Sequence, residues 1–197
     1  MKGDAVPNSK LPITPLMINS ITAMINTEDI LAVRDMTMYV LMFYGFIRFS
    51  ECHVFEQTVI QFEKDHQLKI TIRNSKTDQT GVGASVYISP RETNYCACKW
   101  YRRYSQIIHD NGIDFSFEMT PTTFQKRLKF YLQKIPIDEA IKKYSSHSFR
   151  KGGANTAALN GVQDSHIKVH GRWKSHIYTK YTSVQMIEAG STVTMAI

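Results

Sequence analysis

No stretch of the 197-residue chain supplies the roughly 20 consecutive apolar residues that a membrane-spanning helix needs. Its Met1-Lys2-Gly3-Asp4 start also lacks the basic-then-apolar layout of a secretory signal. A soluble, intracellular protein is the expectation, nuclear if the source is eukaryotic and cytoplasmic or nucleoid-associated otherwise. Cysteine is scarce: Cys52, Cys96 and Cys98 are the only three. An odd number cannot pair fully within one chain, and Cys96 and Cys98 stand too close for a zinc knuckle. Reduced thiols are expected, with no metal and no cofactor. Also missing are a Walker-type phosphate loop and the carboxylate cluster of a two-metal nuclease. There is no internal repeat and no low-complexity tract.

What is present is apolar content of 43%, enough for one substantial core in a chain of single-domain length. A net charge of +7 is unevenly spread. Residues 1–98 carry 9 basic and 10 acidic side chains, whereas residues 99–197 carry 15 basic and 7 acidic. A C-terminal half of +8 points to a polyanionic partner, of which nucleic acid is the commonest, although a solvated basic surface has the same composition.

Residues 1–13, with Pro7, Asn8, Ser9 and Pro12, lack helical periodicity and read as a lead-in linker. Thr14-Pro15 is a helix start, a capping hydroxyl followed by proline at the first helical position. Met17, Ile21, Met24 and Ile25 then mark one face. A second helix is predicted from Asp29 to Gly45, burying Val33, Val40, Leu41 and Tyr44. Between Glu56 and Ser89 the pattern changes to β-favouring segments: Thr58–Ile60, Leu68–Ile72 and Ser85–Ile88. Helical periodicity returns over Tyr95–His109, Thr122–Lys134, Asp138–Lys143, Ser148–Leu159, Gln163–His170 and Ser175 to about Glu188. The predicted fold is mainly α with a small three-stranded antiparallel sheet. On the Thr122–Lys134 helix, Lys126, Arg127 and Lys129 lie off the apolar stripe of Phe124, Leu128, Tyr131 and Leu132. Phosphate contact and simple solvation are equally open to that basic face. Trp100, Tyr101 and Tyr104 read as packing or surface residues.

The strongest local signal is His147-Ser148-Phe149-Arg150-Lys151-Gly152-Gly153-Ala154, followed by Gly171-Arg172-Trp173-Lys174-Ser175 and then by Tyr178 and Tyr181. Upstream stand Tyr44-Gly45-Phe46-Ile47-Arg48-Phe49-Ser50-Glu51 and, at a turn between two predicted strands, Asn74-Ser75-Lys76-Thr77-Asp78. Taken together these resemble the tyrosine recombinase (phage integrase) family, in the style of the recombinases of eukaryotic mobile elements. The match covers roughly residues 12–185. Each motif alone is common by chance; five in the family's order are not.

The resemblance implies DNA strand cleavage and rejoining, with Tyr181 as nucleophile and Tyr178 as its competitor. Tyr181 follows Trp173 by eight positions, one fewer than is usual in the family. Arg48 and Arg150 would each offer a fork of permanently charged donors to the phosphate oxygens, where the transition state gathers negative charge. Trp173 would add its indole N–H or pack the site, and His170 is its rival for that place. A phenol has a pKa near 10, so a phenolate at pH 7 costs about 4 kcal/mol without help from such a pocket. His147 would accept a proton or orient the phosphate, Lys76 would protonate the departing 5′ oxygen, and Glu51 would orient Arg48 or His147. The covalent phosphotyrosine conserves the energy of the broken bond.

The same resemblance assigns residues 14–197 to a catalytic domain with a C-terminal docking tail from about residue 183. Residues 1–13 would lead in from an N-terminal DNA-clamping domain. The expected partners are double-stranded DNA and further copies of the chain, as a tetrameric synapse. Without the clamp, DNA affinity should be weak and fall steeply with salt. A catalytically inactive DNA-binding protein of the same fold and a type IB topoisomerase-like relaxing enzyme are the alternatives.

Overall fold

The computed structural model describes residues 10–72, 83–137 and 139–173. Helix α1 (Pro15–Ala23) starts where the sequence places it, with Thr14 Oγ1 accepting from the Met17 amide at 3.2 Å. Helix α2 (Ile30–Tyr44) is capped by Asp29, whose Oδ1 accepts from the amides of Leu31 and Ala32. Almost every side chain of α2 from Ala32 to Phe43 is buried, so it forms the axis of the core. A short helix α3 (Phe49–Cys52) follows.

The sheet has the order β1 (Ile60–Phe62), β2 (Leu68–Ile72) and β3 (Ala84–Ile88), antiparallel throughout, with Ile60 opposite Ile70 and Ile70 opposite Val86. The segment predicted as a strand from Thr58 differs. Residues Gln57–Val59 form a 3₁₀ turn, and only Ile60 of that segment enters the ladder. The register would set Thr71 and Ile72 of β2 opposite Val59 and Thr58, but the turn uses its amides locally, Val59 N donating to Glu56 O and Ile60 N to Gln57 O.

Helices α4 (Ala97–Asp110), α5 (Pro121–Leu132), α6 (Ser146–Leu159) and α7 (Asp164–His170) complete the described chain. Both α4 and α6 pack along α2. The aromatic side chains of α4 face inward with their polar atoms satisfied. Trp100 Nε1 donates to the Asn94 carbonyl, Tyr101 Oη to that of Ile60 and Tyr104 Oη to that of Ser116. All three cysteines are free and buried. The basic face of α5 is partly committed to the interior: Arg127 pairs with Asp35, a carboxylate on α2 that is 1% exposed. Burial pushes the Asp35 pKa up by more than Arg127 and Arg34 lower it.

In place of the helix predicted over 138–143, the described residues show one 3₁₀ turn, Ile141–Lys143. Its carbonyls serve the lead-in segment instead: the Leu11 amide donates to Lys143 O and Lys10 Nζ to Lys142 O. Residues 10–13 are thereby docked, with the Ile13 amide on the Ser148 carbonyl and the Ile13 side chain fully buried. The adjacent glycines of α6 make this approach possible. A Cβ on Gly152 would stand 1.9 Å from the Ile13 carbonyl oxygen, and one on Gly153 would stand 2.0 Å from that of Phe43. Neither neighbour can retreat without moving backbone, so glycine sets the spacing of α6 from α2.

Candidate active site

The C-terminal end of α2 leaves its last carbonyls without helical partners, and at such an end the helix dipole favours cations. Here the chain turns sharply, because Phe46 adopts a left-handed φ of 48°. Side chains from beyond residue 146 fill the exposed carbonyls. His170 Nε2 donates to Tyr44 O at 2.8 Å, and Arg172 reaches Gly45 O and Phe46 O at 3.4 and 3.3 Å. Arg150 Nη1 also donates to Phe46 O, and its Nη2 donates to Gly171 O at 2.5 Å. A three-residue segment, Tyr44 to Phe46, therefore gathers groups more than one hundred positions away.

Arg48 lies two residues past this hub, at the N-cap of α3. Glu51, one turn on and 7% exposed, accepts from the Arg48 amide through Oε2 and from Arg48 Nη1 through Oε1, both at 2.8 Å. Its Oε2 also takes Arg172 Nη2 at 2.8 Å. Burial pushes the Glu51 pKa upward, but the Arg172 charge, with the amide and guanidinium of Arg48, outweighs it and holds the carboxyl below its ordinary value. Of the two partners offered to Glu51 by sequence, the structure gives Arg48.

His147 and Arg150 are brought together by α6, which begins at Ser146, two residues earlier than predicted. Ser148 Oγ accepts from the Ser145 amide at 3.0 Å and closes that first turn. His147 is exposed, while Arg150 is 3% exposed and stacks its guanidinium carbon 4.4 Å from the centre of the Trp173 ring. Desolvation lowers the His147 pKa, and the charges of Arg150 and Arg48 lower it further. An imidazole at a helix N-terminus is disfavoured as a cation for the same reason. It is therefore neutral at pH 7, the form that accepts a proton.

Trp173 is 7% exposed and packs between Arg150, Phe46 and the glycine turn at Gly171. His170, its rival, is edge-on to Phe46 and committed to the Tyr44 carbonyl. Lys76, Tyr178, Tyr181 and the tail from about residue 183 lie outside the described residues. The third arginine, Arg172, was not singled out from the sequence. The available signal was a charged residue lodged between Gly171 and Trp173, inside a motif already noted. Among the described residues no three His, Cys, Asp or Glu side chains gather as a metal site, and no helix is long and apolar enough to cross a membrane.

The fold is that of tyrosine recombinase catalytic domains. The XerA recombinase structure superposes with a TM-score of 0.67 at 14% identity, over 96% of this chain and 66% of that one. The XerH site-specific recombinase bound to its difH substrate before cleavage gives 0.66 at 12% identity, over 92% and 53%. The integrase of transposon Tn1549 in complex with transposon right-end DNA gives 0.62 at 15%, over 100% and 69%. The chain thus spans about half the length of XerH and two thirds of the other two. No protein-family profile and no curated protein sequence matches it.

Proposed function

We propose that this chain is the catalytic domain of a DNA recombinase or integrase that cuts and reseals strands through a 3′-phosphotyrosyl intermediate. The observation that carries the reading is the convergence of Arg48, Arg150 and His147 beside one helix end, with both guanidinium charges acting on the imidazole. A cationic, donor-rich cluster of this kind can stabilise the five-coordinate phosphorus of an in-line displacement. Fold similarity to recombinases solved on DNA supports the same reading.

In the proposed step, the Tyr181 oxygen attacks phosphorus as the bond to the 5′ oxygen breaks. The phenolic proton passes to neutral His147, and the departing 5′ oxygen takes a proton from Lys76. Arg48 and Arg150 hold the non-bridging oxygens. A 5′ hydroxyl from a second strand reverses the step and releases Tyr181, so the phosphodiester count is unchanged. Double-stranded DNA is the proposed partner, bound by several copies of the chain within an intracellular, nuclear or nucleoid setting. A C-terminal segment from about residue 183 is proposed to dock between copies. An N-terminal clamping domain ahead of residues 1–13 is proposed to supply most of the DNA affinity.

The test is a pooled library of nicked duplexes of randomised sequence, in which the nick traps the cleaved state. The wild-type chain should form a covalent protein–DNA adduct, lost in Tyr181→Phe and kept in Tyr178→Phe. An adduct that survives in Tyr181→Phe but not in Tyr178→Phe moves the nucleophile. No adduct with the wild type, at concentrations where DNA is bound, contradicts the enzyme reading and favours a binding protein of this fold.

The lowered His147 pKa fixes a pH dependence. With DNA subsaturating, where the profile reports the free protein, cleavage should be flat near pH 7 and fall about tenfold per pH unit as the imidazole protonates, with a midpoint below 6.5. Under the same subsaturating conditions, a midpoint above 6.5 would show that His147 is not the group losing its base form.

A further inference from the structure

We infer that Arg172 is a positioning residue of the cleavage site: standing behind Glu51, it holds the carboxylate that aims Arg48 at the scissile phosphate. This rests on the recombinase reading above. Glu51 is bonded to both guanidinium groups, to Arg48 Nη1 through Oε1 and to Arg172 Nη2 through Oε2, each at 2.8 Å. The two arginines differ in what remains for a ligand. Arg172 turns its terminal nitrogens inward: Nη1 faces the carbonyls of Gly45 and His170, and Nη2 faces Phe46 O and Glu51. Each of its four terminal hydrogens thus has an acceptor in the protein, and its side chain is 8% exposed. Arg48 is 22% exposed and, among the described residues, commits only Nη1 of its side chain. One arginine is spent as a strut while the other keeps a free edge.

The backbone supports the same assignment. Arg172 has a φ of 56°, in the left-handed region where a side chain is disfavoured and glycine is at ease. It sits in the tight turn that ends α7, closed by the Trp173 amide on Lys168 O. A residue needed only for that turn would be glycine or asparagine; the guanidinium is what arginine adds. Arg172 is also the largest influence favouring the charged form of Glu51.

The variant Arg172→Gly suits the observed φ, so loss of function in it cannot come from a strained turn. On the nicked-duplex library it should form adduct about 100-fold more slowly than the wild type, with affinity for random duplex DNA changed less than about threefold. Arg172→Lys keeps a cation for Glu51 and should recover about tenfold of that loss. Because Arg172 acts through Glu51, adding Arg172→Gly to Glu51→Gln should slow cleavage less than about threefold further. If Arg172→Gly does not unfold cooperatively, Arg172→Lys with Glu51→Gln reads the same coupling.

Cleavage by Arg172→Gly within threefold of the wild type would overturn the inference. So would losses that multiply with Glu51→Gln, since these would mark an independent contact with the DNA. A wild-type chain that forms no adduct refutes the recombinase reading itself, whereas an active wild type with an indifferent Arg172 refutes only this inference.

Discussion

Arg150→Ala is expected to lose about 10²–10³-fold in single-turnover cleavage and to unfold at lower denaturant than the wild type. Two effects combine. Withdrawing a preorganised donor from a developing oxyanion costs roughly 3–4 kcal/mol of transition-state stabilisation, or 10²–10³ in rate. The same guanidinium serves the carbonyls of Phe46 and Gly171 and stacks on Trp173. The Gly171 carbonyl, left unpaired in a buried setting, costs about 1–3 kcal/mol, whereas that of Phe46 keeps Arg172. Arg150→Lys keeps the charge but not the fork that spans two carbonyls, so it should remain slow although its net charge is unchanged. Cleavage kinetics and denaturant midpoints on the same preparations separate the effects. Wild-type stability in Arg150→Ala would mean that the carbonyl contacts contribute nothing.

Glu51→Leu carries the second large effect, this time mainly on stability. Its carboxylate is the shared counter-ion of Arg48 and Arg172, and removing one member of a buried ionic cluster costs about 3–5 kcal/mol. Arg48 still reaches solvent, which places the expected loss near 3 kcal/mol. The pH dependence follows from the sign of the shift. The folded-state pKa of Glu51 lies below the ordinary 4.5, so its stabilisation is present above that value and is lost as pH falls through the lower folded value. In Glu51→Leu this acid-side component should vanish. Urea titrations from pH 3 to 7, in steps of about one unit, would show it as a flatter profile.

Much of the architecture was legible because local chemistry and tertiary role agree. Thr14-Pro15, Asp29 and Thr120-Pro121 cap helices in the structure as their side chains predispose them to do. Leu68–Ile72 shows the alternation of a strand with one buried face and forms one. The misread pieces are those decided by distant partners. Residues 139–143 carry a helical pattern, yet Lys142 and Lys143 give their carbonyls to Lys10 and Leu11. Arg127 looks like a surface cation until Asp35, deep in α2, is seen beside it.

The candidate site divides in the same way. The motif order named Arg48, Glu51, His147, Arg150 and Trp173, and the structure gathers them near the end of α2; their roles toward phosphate are proposed. Arg172 was not singled out, since its place behind Glu51 depends on two left-handed residues, Phe46 and Arg172 itself, that no propensity favours. Both gaps arise where tertiary contacts override local preference.

The most direct test of the account is the structure of this chain trapped on a nicked duplex. The expected result is one phosphate whose non-bridging oxygens accept from both Arg48 and Arg150, with Arg172 still turned inward on Glu51. Arg48 and Arg150 bound to two different phosphates, or Arg150 donating only to the Phe46 and Gly171 carbonyls with DNA in place, would contradict it.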